Sequence, residues 1–189
     1  ADEQDVPYVV LERLFGKPLD ALLHDPLDLL TTAQAIVPVI NALACLHAAG
    51  IVHRDIKPSN LFLSRSAGER ITPKLLDFGI AKALAGSSAT SSGMALGTPA
   101  YMAPEQALGV ATVGPATDVW SIGVVIVRCL TGKLPFEGGA GNRAGVLRHG
   151  LAPGDLPGVP EPVARVLSDA LRFEPSERPR DMAALRSRL

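Results

Sequence analysis

His53-Arg54-Asp55-Ile56-Lys57-Pro58-Ser59-Asn60 sets charged and polar side chains between two apolar runs, Ile36 to Ile51 before it and Leu61-Phe62-Leu63 after it. A segment this polar packs poorly between buried neighbours and suits chemistry. Its aspartate and asparagine stand five apart with a lysine between them. That spacing can hold a proton acceptor, a phosphate-facing cation and a metal-binding amide within one turn of chain. The plain alternative is a charged turn from helix to strand.

Upstream, Thr31 to Ala49 places Ile36, Val37, Ile40, Leu43, Ala44, Cys45 and Leu46 close to helical spacing, which predicts a helix leading into the polar stretch. Pro38 predicts that this helix starts or kinks there, and Gly50 is a natural C-terminal cap. Downstream, Leu61-Phe62-Leu63 and Lys74-Leu75-Leu76 predict two short strands joined by a polar turn from Ser64 to Pro73. Such a hairpin sets Asn60 and Asp77 at the ends of adjacent strands, where two ligands can share one cation. Asp77-Phe78-Gly79 alone recurs by chance. Seventeen positions after Asn60 and directly after an apolar strand, it carries weight.

Further out, Thr117 to Val127 is apolar nearly all round and predicts a helix buried on every side, stopped by Thr131-Gly132-Lys133-Leu134-Pro135-Phe136. Tyr8 to Glu12 predicts a strand, broken by Gly16-Lys17-Pro18, with a short helix from Pro18 or Leu19 to His24. Ala85 to Gly93 reads as a loop. Glu137 to Pro160 is rich in Gly and Pro, with one short helix expected from Arg143 to His149. Gly139 to Ala144 fits G-x-G-x-x-A, yet no strand precedes it, so it is rejected as a phosphate loop. Val163 to Phe173 and Asp181 to Leu189 predict the last helices.

With 47% hydrophobic and 20% charged residues, the chain can bury one sizeable core. A net charge of -1 gives no reason to expect nucleic acid or an anionic membrane as partner. Cys45 and Cys129 show no metal-ligand spacing and are expected as small core residues in a reducing compartment. The longest strongly apolar helix candidate, Val119 to Leu130, is about half a membrane span, so no membrane segment is expected. The first residues read as mid-domain, which suggests a piece of a longer protein.

His53 to Asn60 matches H-R-D-x-K-x-x-N at every specified position, and the chain therefore resembles eukaryotic-type serine/threonine protein kinases of the bacterial kind. Asp77-Phe78-Gly79 and the segment Gly97 to Glu105, ending in Ala103-Pro104-Glu105, follow in kinase order. The resemblance implies a mainly α fold. It is the C-terminal lobe, a helical bundle around a buried central helix with short hairpins at the cleft, over 17–189. The last N-lobe strand and hinge fall within 1–16. By family role Asp55 takes the proton of the acceptor hydroxyl, Lys57 faces the γ-phosphate, and Asn60 and Asp77 bind Mg2+ or Mn2+. Leu11 takes the gatekeeper position, Glu12 and Leu14 the hinge (an edge strand is the bland alternative), and Phe62 the floor under the adenine of ATP, or plain core. Lys57 and Thr98 favour a Ser/Thr hydroxyl on a protein substrate as acceptor.

The same resemblance gives structural roles to His53, Phe78, Gly79 and Asp118, the last as acceptor of hydrogen bonds from the catalytic-loop backbone. Glu105 and Arg178 are expected to pair across the substrate-binding loop; an exposed ion pair is the alternative. Arg54 suits regulation by a phosphorylated loop, with Thr90 and Ser92 as preferred sites. The glycine-rich loop, strand lysine and helix glutamate of an intact kinase belong upstream of the hinge, and Lys17 is the only lysine before Lys57. The chain therefore lacks most of an N-lobe, expected in the parent, and is expected to be inactive alone. A pseudokinase-like scaffold and a nucleotide sensor are the competing functions. The expected location is the cytoplasm, with a membrane anchor compatible elsewhere in the parent.

Overall fold

The structure, a computed structural model, describes residues 10–65, 71–76, 99–110, 113–136 and 150–189. It is mainly helical, with one antiparallel sheet of three short strands at its edge.

Helix α1 spans Leu29–Ala48. It starts before the apolar pattern does, because Asp28 caps it: the carboxylate accepts from Thr31 N–H and Thr31 Oγ1–H, both at 2.7 Å. Pro38 lies inside the helix rather than at its start. It is exposed, as is Gln34, whose carbonyl loses its helical N–H partner to the proline ring. Gly50, at φ 75°, ends the helix in the left-handed conformation that glycine adopts without strain. By length and composition α1 could cross a membrane, unlike the shorter helix singled out from sequence. Here Thr32, Ala35, Ile36, Val39, Ile40 and Leu43 are buried in the core. Cys45, expected inside, is exposed; Cys129 is buried.

Helix α3, Pro115–Thr131, is the axis of the fold: every residue from Thr117 to Val127 is buried. The short helix α2, Pro104–Ala107, precedes it, while α4, Glu161–Ala170, and α5, Met182–Arg186, pack beside it. Asp181 caps α5 by accepting from Ala184 N–H at 2.8 Å. The helix expected from Arg143 to His149 lies outside the described residues.

Strands β2, Leu61–Arg65, and β3, Ile71–Leu75, form the expected hairpin, longer than its apolar cores suggested, with Leu61 opposite Leu75. The other edge differs from expectation. Val10, Leu11 and Glu12 form no strand, and Val10 and Leu11 stand exposed. Gly16-Lys17-Pro18, read as a breaker, is itself strand β1, antiparallel to β2 with Gly16 opposite Ser64. A proline is tolerated on an edge strand. Glycine is required there: a Cβ on Gly16, at φ 151°, would lie 2.0 Å from the Leu63 carbonyl oxygen. The 3-10 turn Leu19–Leu22 follows, shorter than the helix expected to His24.

Candidate active site

The polar stretch hangs from a single buried carboxylate. Asp118, in the first turn of α3, is fully buried. Its Oδ2 accepts from His53 N–H at 2.8 Å and its Oδ1 from Arg54 N–H at 2.9 Å. Burying an unpaired carboxylate costs several kcal/mol, so the loop backbone and Asp118 need each other. Arg54 takes φ 66°, the sole positive φ on a non-glycine residue among those described. Such a backbone costs roughly 1–3 kcal/mol and persists where its surroundings fix it.

Two histidines complete the support. Met182 N–H donates to His47 Nδ1 at 3.2 Å, so Nε2 carries the proton and donates to Asp118 Oδ2 at 2.9 Å. His53 is buried; Asp55 N–H donates to its Nδ1 at 3.3 Å, and its Nε2–H donates to Leu76 O at 3.1 Å. Leu76 N–H in turn donates to Asn60 O at 2.8 Å. The loop is thus tied to the end of β3, one residue before Asp77 in the chain. His47 was not singled out from sequence, where it reads as one more polar residue on a helix.

On this frame three of the sequence-chosen side chains meet. Lys57 Nζ donates to Asp55 Oδ2 at 3.0 Å. Asn60 Nδ2 donates to Asp55 O at 2.8 Å and to Asp55 Oδ2 at 3.1 Å. The Asp55–Lys57 pair is about one-fifth exposed on each side. Such a pair is worth only about 0–1 kcal/mol, so it places charges rather than holding the fold. Both Asn60 amide protons face Asp55, which leaves Oδ1 as the acceptor atom of the side chain. A carboxamide oxygen of that kind suits a hard cation such as Mg2+.

Asp77, Phe78, Gly79, Thr90, Ser92 and Thr98 lie outside the described residues. Leu11 and Glu12 are exposed, with Glu12 paired to Lys74, and Leu14 is half-buried. Phe62 is half-buried in β2, its ring edge 3.1 Å from where a Gly16 Cβ would stand.

Glu105 and Arg178 meet as expected, and the exposed alternative is excluded: both are buried. The guanidinium holds the carboxylate in a two-pronged grip, both N–O distances 2.9 Å. Its remaining N–H groups reach Arg172 O, Ala116 O and Phe173 O, so all five donors are satisfied. Arg178 also lies 4.9 Å over the Trp120 ring. Burial pushes the Glu105 carboxyl up, but the hydrogen bonds from Arg178 and Thr117 outweigh it and hold the carboxyl below its ordinary value. The pair fixes α2 against α3, and Ser121 Oγ–H donates to Tyr101 O at 2.9 Å beside it. The segment 99–110 is therefore seated against the loop that carries Asp55.

Residues 1–188 match the family model described as the protein kinase domain. The chain is 41% identical to the serine/threonine-protein kinase Pkn1 of Myxococcus xanthus, with 97% of this chain and 27% of that protein covered. It is 35% identical to the serine/threonine-protein kinase PknL of Mycobacterium tuberculosis, covering 95% of this chain and 45% of the relative. It is 43% identical to PknA of the same species over 69% of this chain and 30% of the relative. The chain thus spans about a quarter to a half of the curated relatives it matches. By the family model matched over 1–188 and by these relatives, the chain belongs to the protein kinase family, among bacterial kinases of the serine/threonine type.

Proposed function

We propose that this chain is the catalytic C-lobe and hinge of a protein kinase that moves the γ-phosphoryl group of ATP to a Ser or Thr hydroxyl of a protein. The observation that carries it is the meeting of Asp55, Lys57 and Asn60 on a loop held by the buried carboxylate of Asp118. Phosphoryl transfer asks chiefly for positioning and for charge placed around the phosphate oxygens. Asp55 orients the acceptor hydroxyl and takes its proton. Lys57 sets a positive charge beside that carboxylate, toward the phosphate. Asn60 Oδ1 and Asp77 would hold Mg2+ or Mn2+, which when bound neutralises phosphate charge. Phe62 and the hinge residues Leu11, Glu12 and Leu14 are assigned to the adenine side. In this reading residues 1–16 belong with an N-lobe, 17–189 form the C-lobe, α1 serves as a core helix, and the site works in the ATP-containing cytoplasm.

No glycine-rich loop precedes Asp55 within the 189 residues, and the lysine before it, Lys17 on edge strand β1, follows the hinge stretch instead of preceding it. Loss of one preorganised charge contact costs about 10²–10³ in rate, so the stretch alone transfers phosphate negligibly. The test is incorporation of γ-phosphate into a generic protein substrate, with phosphoamino-acid analysis. The full-length protein should label serine and threonine in a Mg2+- or Mn2+-dependent manner, and the 189-residue piece should stay at background. ATP binding without transfer by the full-length protein would instead indicate a pseudokinase or nucleotide sensor.

A further inference from the structure

The peptide joining Arg54 to Asp55 is held at both ends, and one of the holders is Gln106 of α2. Gln106 Nε2–H donates to Arg54 O at 2.9 Å, while its Oε1 accepts from Ala103 N–H at 3.2 Å. The amide orientation follows from its partners: the Ala103 N–H can meet only an acceptor and the Arg54 carbonyl only a donor. The other end of the same peptide, Asp55 N–H, is taken by His53 Nδ1. The preceding peptide is fixed through Arg54 N–H by Asp118. A backbone torsion pair is set by the two peptide planes that flank it. Asp118 therefore fixes one side of the left-handed Arg54, and Gln106 with His53 fixes the other.

We infer that Gln106 is a positioning residue for the phosphoryl transfer proposed above, acting through the Arg54 carbonyl to hold the Asp55 carboxylate toward the acceptor hydroxyl. The inference rests on that functional assignment. Freed of Gln106, the strained Arg54–Asp55 peptide can rotate and carry Asp55 with it. A displacement of about 1 Å at a catalytic group is enough to cost roughly 10²-fold in rate. Gln106 also lines, with Asp55, Lys57, Tyr101 and Met102, the small cleft between the two segments. It is half-exposed, so its replacement leaves the core intact.

The test is steady-state kinetics of the full-length protein on Mg-ATP and a Ser/Thr peptide, for Gln106→Met and Gln106→Glu, with Asp55→Asn alongside. Met keeps the volume and removes both hydrogen bonds. Glu keeps the acceptor for Ala103 and sets a carboxylate against the Arg54 carbonyl. Both variants should melt near wild type, keep KM for ATP within about twofold, and lose about 10–100-fold in kcat. The Gln106→Glu rate relative to wild type should rise between about pH 8 and pH 5, as its carboxyl gains a proton to donate. The Gln106→Met ratio should stay flat. Wild-type kcat in either folded variant, a change confined to KM, or a Glu ratio indifferent to pH overturns the inference, and either variant decides if the other fails to fold. Asp55→Asn as active as wild type would instead remove the functional assignment itself.

Discussion

The carboxylate of Asp118 reaches from the first turn of α3 to the N–H of Arg54, 64 positions earlier in sequence, at 2.9 Å, and its other oxygen takes the N–H of His53. It is fully buried and holds the backbone of a residue at positive φ. The axis helix and the loop that carries Asp55 are thus one unit.

Asp118→Asn should therefore be costly although nearly isosteric. One amide face turns N–H against N–H, and a hydrogen bond to a charged group is worth about 1.5–3 kcal/mol. Urea denaturation should show about 2–4 kcal/mol of lost stability. A loss below about 0.5 kcal/mol, the range of an indifferent surface site, contradicts this.

The Glu105–Arg178 pair should make the fold acid-sensitive. The Glu105 carboxyl is held below its ordinary value of 4.5 in the folded chain. Its contribution is therefore complete above about pH 4.5 and is lost as pH falls through the lower, folded-state value. Arg178→Ala strands a buried carboxylate and should cost about 3–5 kcal/mol near neutral pH. Denaturation midpoints followed from neutral to acidic pH should show that deficit shrinking as Glu105 protonates. A deficit constant down to pH 3 would refute the linkage.

The two thiols should separate cleanly. Cys45 is exposed, whereas burial pushes the Cys129 thiol up to about 12. A maleimide should label one cysteine in the native protein and the second only after unfolding. The raised value favours the protonated thiol in the fold, so this group's contribution falls as pH climbs from 9 toward 12. Rapid native labelling at Cys129 would show that the core around α3 opens.

Much of this was legible because local pattern and long-range contact agreed. The Thr117 to Val127 run could only be a helix buried all round, and it is. The spacing of Asp55, Lys57 and Asn60 foretold their meeting. The edge strand was illegible because Gly16-Lys17-Pro18 has no apolar alternation; its pairing is set by the Leu63 carbonyl beside a residue without a Cβ. Val10 and Leu11 misled in the other direction, since β-rich composition does not supply a partner strand. Cys45 was misplaced because apolar spacing runs all along α1 while only one face meets the core. Gln106 and His47 left no signal, because each matters through a backbone group or carboxylate far away in sequence.

The most direct measurement is kcat for phosphoryl transfer by the full-length protein carrying Asp55→Asn, a change that removes the proton acceptor and keeps the hydrogen-bonding shape. A positioned general base contributes about 10²–10⁴-fold, so kcat should fall by that factor with KM for ATP nearly unchanged. Transfer at the wild-type rate by this variant would contradict the assignment of Asp55, and with it the reading of the loop as catalytic.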